Sequence, residues 1–378
     1  MRNLILLAVL AVLALPAAEA RSVTVEQLRQ LLVSPHAAKQ SDAELARLIV
    51  SLDLTEQLTA PMLERIESKL KPGPKTAGAM DLLADSSTFL DPPAGELPAK
   101  APPDARLQRT LLSAAVTYVA GTLLHLPNFL ATRITRSFDD KPFVVSRTGW
   151  SPSNADLHLA GISSREIAYR DGHEVFSDAP LTKARLEDES SPIGLASTGE
   201  FGPVLATILI DTVAGKVTWS HWEQTSTGLA AVFHYMVPRD ASDYHVTFCC
   251  IAQAQSPDPF NPTQDPSRNS TFFYGKPAYH GSLYLDPATG AILRVTLQAE
   301  LKNSDPVTRT DISVQYGSVQ IGGKTYICPV RSVAISSDRV RLPRDPDNRT
   351  ILHINEVTFT NYHRFGSTSR VISELPVQ

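Results

Sequence analysis

Hydrophobic positions divide the chain into a region with helical spacing and a longer region of short alternating runs. Leu28, Leu31 and Leu32, then Leu45, Leu48 and Ile49, then Leu63, Ile66 and Leu70 recur as one face of a helix would present them. Thr24 stands three residues before Gln27 and Ser41 three before Glu44, the spacing of a capping box, in which a hydroxyl and a Glu or Gln satisfy each other's backbone N–H groups. Lys71-Pro72-Gly73-Pro74 stops this pattern, and one more helix is expected over 77–84. Pro92, Pro93, Pro98, Pro102 and Pro103 then predict a semi-extended linker over 91–104. Leu107, Leu111, Ala115, Tyr118, Val119 and Leu123 mark a single amphipathic helix that Pro127 forbids from continuing.

From Asn128 onward the period changes. Strand-like runs are expected at 129–138, 143–147, 167–170, 174–176, 217–224, 229–237, 246–251, 279–285, 292–301, 311–319, 325–335 and 351–362. Asp171-Gly172 and Gly322-Gly323 supply the positive φ angles of tight hairpins, and Asp286-Pro287-Ala288-Thr289-Gly290 a wider bend. Phe201, Val204, Leu205, Ile208 and Leu209 place an interrupting helix at 199–214. The fold class expected is α+β. A small N-terminal helical domain (21–90) and the Pro-rich linker (91–104) precede an antiparallel β domain (105–378), whose roughly ten hairpin-joined strands form a curved sheet, an open or half-closed barrel with packed helices.

The first twenty residues belong to neither region. Met1-Arg2-Asn3 is a short positive start, Leu4 to Leu15 is an apolar run too short to span a bilayer, and Ala18-Glu19-Ala20 is a small-x-small cleavage site. They read as a signal peptide cut after Ala20, which places the mature protein in the periplasm or outside the cell. No later stretch is long and apolar enough for a membrane helix. With 43% hydrophobic and 20% charged residues the chain can bury a real core, and a net charge of −4 without a basic, aromatic-laced cluster excludes nucleic acid as a partner. Cys249, Cys250 and Cys328 are an odd set in an oxidising compartment. At most one bridge can form among them, and the expected one joins Cys328 to whichever of the neighbouring Cys249 and Cys250 faces it.

Candidate chemistry is sparse. Gly317 to Thr325 has the wrong glycine spacing for a phosphate loop, and a strand follows it instead of a helix. There is no Gly-x-Ser-x-Gly, His-Glu-x-x-His, Cys-x-x-Cys or Gly-x-Gly-x-x-Gly motif, so no metal or cofactor is implied. The densest polar–aromatic cluster is Trp219-Ser220-His221-Trp222-Glu223. Strict alternation would put Trp219, His221 and Glu223 on one face with Ser220 and Trp222 on the other. The next strand carries His234, and whether it meets His221 depends on a register that a one-residue slip would reverse. His280, beside Gly281 at a strand start, is a further pocket candidate.

Together Leu126-Pro127-Asn128-Phe129, Tyr169-Arg170-Asp171-Gly172, Gly199-Glu200-Phe201-Gly202-Pro203, Trp219 to Glu223, Tyr279-His280-Gly281 and Ile321 to Tyr326 make the chain resemble uncharacterised exported proteins of acidobacterial type. That resemblance implies no activity and no catalytic residues. In architecture, a helix followed by a many-stranded curved sheet is similar to the periplasmic lipoprotein-carrier fold, the LolA-type open barrel. This likeness implies a carrier holding a hydrophobic small molecule or an acylated envelope protein, with Trp219, His221, Trp222, His234, His280, Val295 and Leu297 as the lining. On that reading an apolar cavity lies between the helix at 107–123 and the sheet. The alternatives are an exported hydrolase using His221, Glu223, His234 or His280, and a filled-barrel scaffold for protein interaction.

Overall fold

The computed structural model describes residues 21–123, 126–140, 143–146, 149–152, 157–175, 195, 200–225, 228–251, 271–339 and 350–364. The expected leader, residues 1–20, lies outside them. The chain divides into two compact units, one ending at Leu90 and the other beginning at Asp91.

In the first unit, β1 (Arg21–Val23) pairs in parallel with β2 (Leu52–Leu54), among helices α1 (Val25–Leu32), α2 (Asp42–Val50), α3 (Ala60–Leu70) and α4 (Pro74–Ser86). Both expected capping boxes form: Thr24 Oγ1 accepts from Gln27 N, Ser41 Oγ accepts from Glu44 N, and each Gln or Glu side chain returns to the cap. Lys71 ends α3 in the left-handed conformation, φ 47°. The apolar faces converge on one cluster in which Leu28, Ile49 and Met80 are fully buried.

The second unit is built on a ten-stranded antiparallel sheet. Its strands are β3 (Phe129–Asp139), β6 (His158–Arg170), β7 (His173–Val175), β8 (Lys216–Thr225), β9 (Gly228–Val237), β12 (Ala278–Leu285), β13 (Ile292–Glu300), β14 (Val307–Ile321), β15 (Lys324–Arg339) and β16 (Thr350–Arg364). The short hairpins β4–β5 (Phe143–Ser146, Gly149–Pro152) and β10–β11 (Val246–Ile251, Thr271–Gly275) form separate two-stranded sheets. The order across the large sheet is β7-β6-β3-β16-β15-β14-β13-β12-β9-β8. The last strand, β16, thus pairs with the first, β3, and every neighbour is antiparallel. The meander would close into a barrel if β7 met β8, but the two remain opposite edges and the sheet is open.

The turns follow their residues. Gly322 and Gly323 have φ of 57° and 81° between the paired Ile321 and Lys324, and Asp171-Gly172 has φ of 52° and 86° between Arg170 and His173. Gly290, φ 77°, lets α5 (Ala105–Leu123) dock on the β12–β13 turn, because a Cβ there would lie 2.6 Å from the Ala114 backbone. Leu111, Ala115 and Val119 of α5, with Leu205 and Ile208 of α6 (Pro203–Asp211), pack on Phe233, Tyr235, Leu283, Val295, Leu297 and Val314. We call this the helix face. Val295 and Leu297 are each 1% exposed, so the space expected to hold a ligand is occupied by protein, and Leu301 packs at its margin.

Towards β15, β16 and β3 the helix face turns polar, with Ser332, Ser336, His353, Asn355 and Ser137 all buried. The chain itself satisfies part of this surface. Leu195 N donates to Ser336 Oγ, Asn355 Nδ2 donates to Leu195 O, and the buried Glu200 takes Ser332 Oγ at 3.4 Å and Arg133 at 3.6 Å. Phe201 completes an aromatic cluster with Phe129, Tyr169 and Phe359. Cys328 belongs to that cluster as a fully buried free thiol, without the bridge expected from the sequence. Cys249 and Cys250 lie on β10, whose partner is β11, while Cys328 pairs with Gly317 inside the ten-stranded sheet.

Candidate active site on the opposite face

A bulge in β8 makes the site. Trp219 pairs with Phe233, but the next registered pair is His221 with Val232, so Ser220 is an extra residue. Trp219 and Trp222 therefore share the helix face, their rings 4.9 Å apart, while His221 and Glu223 turn to the opposite face beside His234. The alternation expected from sequence, with Trp219 grouped with His221 and Glu223, is corrected by this one inserted residue.

Ser220 Oγ lies 2.7 Å from His221 Nδ1 and 2.9 Å from His234 Nε2. Beyond His234, its Nδ1 is 2.9 Å from Ser282 Oγ, and beyond His221, its Nε2 is 3.3 Å from Glu223 Oε2. Glu223 Oε1 accepts from Arg294 Nη2 at 3.2 Å, and the Arg294 guanidinium stacks 3.7 Å from the centre of the Tyr284 ring. Glu223 and Arg294 side chains are both 11% exposed, so this ion pair is largely screened from water.

The donors and acceptors fix the direction of the chain. A carboxylate only accepts, so a neutral His221 facing Glu223 has its proton on Nε2 and offers the Nδ1 lone pair to Ser220 O–H. Ser220 Oγ, having donated, accepts from His234 Nε2–H, and His234 Nδ1 accepts from Ser282 O–H. Every proton thus points toward Glu223. Burial holds the His234 pKa below the ordinary histidine value, outweighing the nearby Asp91 carboxylate, so the neutral ring that this assignment needs is favoured.

Of the residues selected from sequence, His221, Glu223 and His234 come together. His280 stays outside the hydrogen-bonded chain, its Nδ1 facing Glu300 at 3.4 Å. Its neighbour Gly281 is there for packing: a Cβ would meet Thr296 O, which accepts from Tyr235 O–H at 2.6 Å. Trp219, Trp222, Val295 and Leu297 are core residues. Sequence reasoning missed Ser220 as the centre, and also Ser282 and Arg294, whose positions depend on cross-strand register.

Among the described residues, no cluster of three or more His, Cys, Asp or Glu could hold a metal ion, and no helix is long and apolar enough to cross a membrane. Two shallow surface grooves share no residue with the Ser220 chain; one, about 450 Å³, is lined by Arg239, Tyr274, Lys276 and Lys302, and the other, about 590 Å³, by Arg106, Arg109, Thr117 and Thr289. Comparison with known proteins returns no family model, no curated protein and no solved structure that matches this chain.

Proposed function

We propose that the protein is an exported hydrolase of ester or amide bonds with Ser220 as nucleophile. The observation that carries this is the 2.7 Å contact from Ser220 Oγ to His221 Nδ1, on a ring whose other nitrogen is held by Glu223. Nucleophile, base and orienting carboxylate are the parts of a serine triad, here using the two imidazole nitrogens in the opposite sense to the familiar one. Ser220 Oγ attacks the substrate carbonyl as its proton passes to His221 Nδ1, which then gives it to the leaving alcohol or amine. Water, deprotonated by the same nitrogen, releases the acid and restores the serine. His234 Nε2–H is placed to donate to an oxygen near Ser220.

Val295 and Leu297, named as lining for a carrier, are 1% exposed in one core cluster with Leu111, Ala115 and Val119, which supports the hydrolytic reading over the carrier reading. Export rests on the leader, and sequencing the mature N-terminus for a start at Arg21 tests it. The activity is tested with a fluorophosphonate, from which Ser220 Oγ displaces fluoride at phosphorus. The expected result is an adduct on the peptide bearing Ser220, absent in Ser220→Ala and strongly slowed in His221→Ala. No adduct in folded protein, or equal labelling of His221→Ala, would overturn the assignment.

A further inference from the structure

The Pro-rich segment is not free of the β unit. At one end, Asp91 Oδ1 lies 3.7 Å from His234 Nε2, the atom that also meets Ser220 Oγ. The Asp91 charge acts on His234 and on the Tyr284 hydroxyl, which places it over the same patch as the Ser220 chain. Further along, the Ala101 carbonyl accepts from the Trp222 indole Nε1 at 2.9 Å, and the Lys100 ammonium sits 3.7 Å from the centre of that ring. Trp222 lies two residues beyond Ser220 on β8, an edge strand, so its indole can be reached from around the edge. Between these anchors Pro92 is buried, while Ala94 and Gly95 are exposed.

We propose that residues 91–101 form a strap that limits access to Ser220, and that releasing it exposes the site. This rests on the hydrolytic reading for its consequence, though not for its geometry. A proline-rich segment is stiff, so it lifts as a unit and not residue by residue. Toward its two ends it is held by the 3.7 Å approach of Asp91 to the exposed edge of His234, a cation–π contact and one hydrogen bond, contacts of modest strength, with Pro92 buried between them. Ala94 and Gly95 are exposed in a single 3-10 turn (Ala94–Glu96) near the start of the second unit, and exposed small residues of this kind are where chains are nicked. A cut there would leave Asp91 and Lys100 on separate ends, so that the two sides of the strap no longer hold each other in place.

The test uses the full chain. A specific protease site is inserted between Ala94 and Gly95 and cut after folding, and Asp91→Asn and Lys100→Ala are made separately as surface changes that keep the fold. Two rates are followed by peptide mass spectrometry at pH 8, where free imidazole is neutral: diethyl pyrocarbonate modification of His221 and His234, which needs access to a neutral ring but no activated serine, and fluorophosphonate labelling of Ser220, which needs access and an activated serine. Cutting is expected to raise both about fivefold or more, and the substitutions about twofold, as a closed population is converted to an open one. Unchanged histidine modification after complete cutting overturns the strap, whatever the labelling shows. Faster histidine modification with no Ser220 adduct in any form keeps the strap and removes the hydrolytic reading.

Discussion

Gly281→Ala is expected to destabilise the β unit by about 4 kcal/mol, built from two contributions of about 1–3 kcal/mol each. A methyl on residue 281 would stand 1.9 Å from Thr296 O, 2.7 Å from Thr296 C and 2.8 Å from Tyr235 Oη. Two of these atoms belong to the backbone of β13, so no side-chain rotation relieves the clash. The strands must part locally, which is the overpacking contribution. Parting them also removes the acceptor from Tyr235, a fully buried hydroxyl that donates to Thr296 O at 2.6 Å, and an unsatisfied buried donor is the second contribution. Urea unfolding followed by tryptophan fluorescence reads the β unit, since all three tryptophans, Trp150, Trp219 and Trp222, lie in it. Gly121→Ala in α5 is the control of opposite sign, because a Cβ there has nothing within 4 Å and helix propensity alone favours Ala by up to about 1 kcal/mol. A loss below about 1 kcal/mol for Gly281→Ala would refute the close-approach argument.

Other outcomes follow from the same contacts. Glu223→Gln leaves Arg294 without its carboxylate and lets an amide N–H face His221; a stability loss of about 1.5–3 kcal/mol and labelling of Ser220 slowed roughly a hundredfold or more are expected from denaturation and rate measurements. His234 has a folded pKa below its unfolded value, so the unfolded chain takes up its proton first and the stabilising effect, present above pH ~6.5, is lost as pH falls. The stability difference between wild type and His234→Gln should therefore shrink from pH 7.5 to about pH 5, and an NMR titration of His234 at or above the ordinary midpoint would contradict it. Burial pushes the Cys328 thiol up to about 12, so at pH 8 its thiolate is roughly a thousandfold scarcer than in the unfolded chain. Peptide mapping after brief iodoacetamide treatment should find Cys328 unmodified in native protein and alkylated in urea.

What the sequence made legible was local. The capping hydroxyls of Thr24 and Ser41, the Asp171-Gly172 and Gly322-Gly323 hairpins, and the helical spacing from Leu107 to Leu123 each act within a few residues, and the structure has each of them. Non-local relations were not legible. The length of β14 and β15 exceeds their apolar runs because the hairpin pairs from Ile321↔Lys324 back to Val307↔Asp338, carrying polar positions into the ladder. The polar half of the helix face was hidden for a related reason. Ser332, Ser336 and Asn355 alternate with apolar residues as solvent-facing positions would, yet they are buried, two of them against the backbone of Leu195. The Cys328 environment depends on the same pairing of distant strands.

The candidate site shows why a correct list of residues can still give the wrong arrangement. With strict alternation Ser220 would face away from His221, and no hydrogen bond between neighbouring side chains on opposite faces of a strand could form. One extra residue at Ser220 cancels the alternation locally, turning both tryptophans inward and both His221 and Glu223 outward. The same residue, left over in the pairing, is the one that sits between the two histidines. Two adjacent requirements select this bulge. The helix face needs Trp219 beside Phe233 and also Trp222 over Ala231, and an odd spacing of three can satisfy both only if one residue is looped out. Packing on one face thereby creates the polar geometry on the other. Deleting Ser220 would leave the pairs of Trp219, His221, Trp222 and Glu223 in a regular ladder, both tryptophans still inward, and would remove only the residue that joins the two histidines.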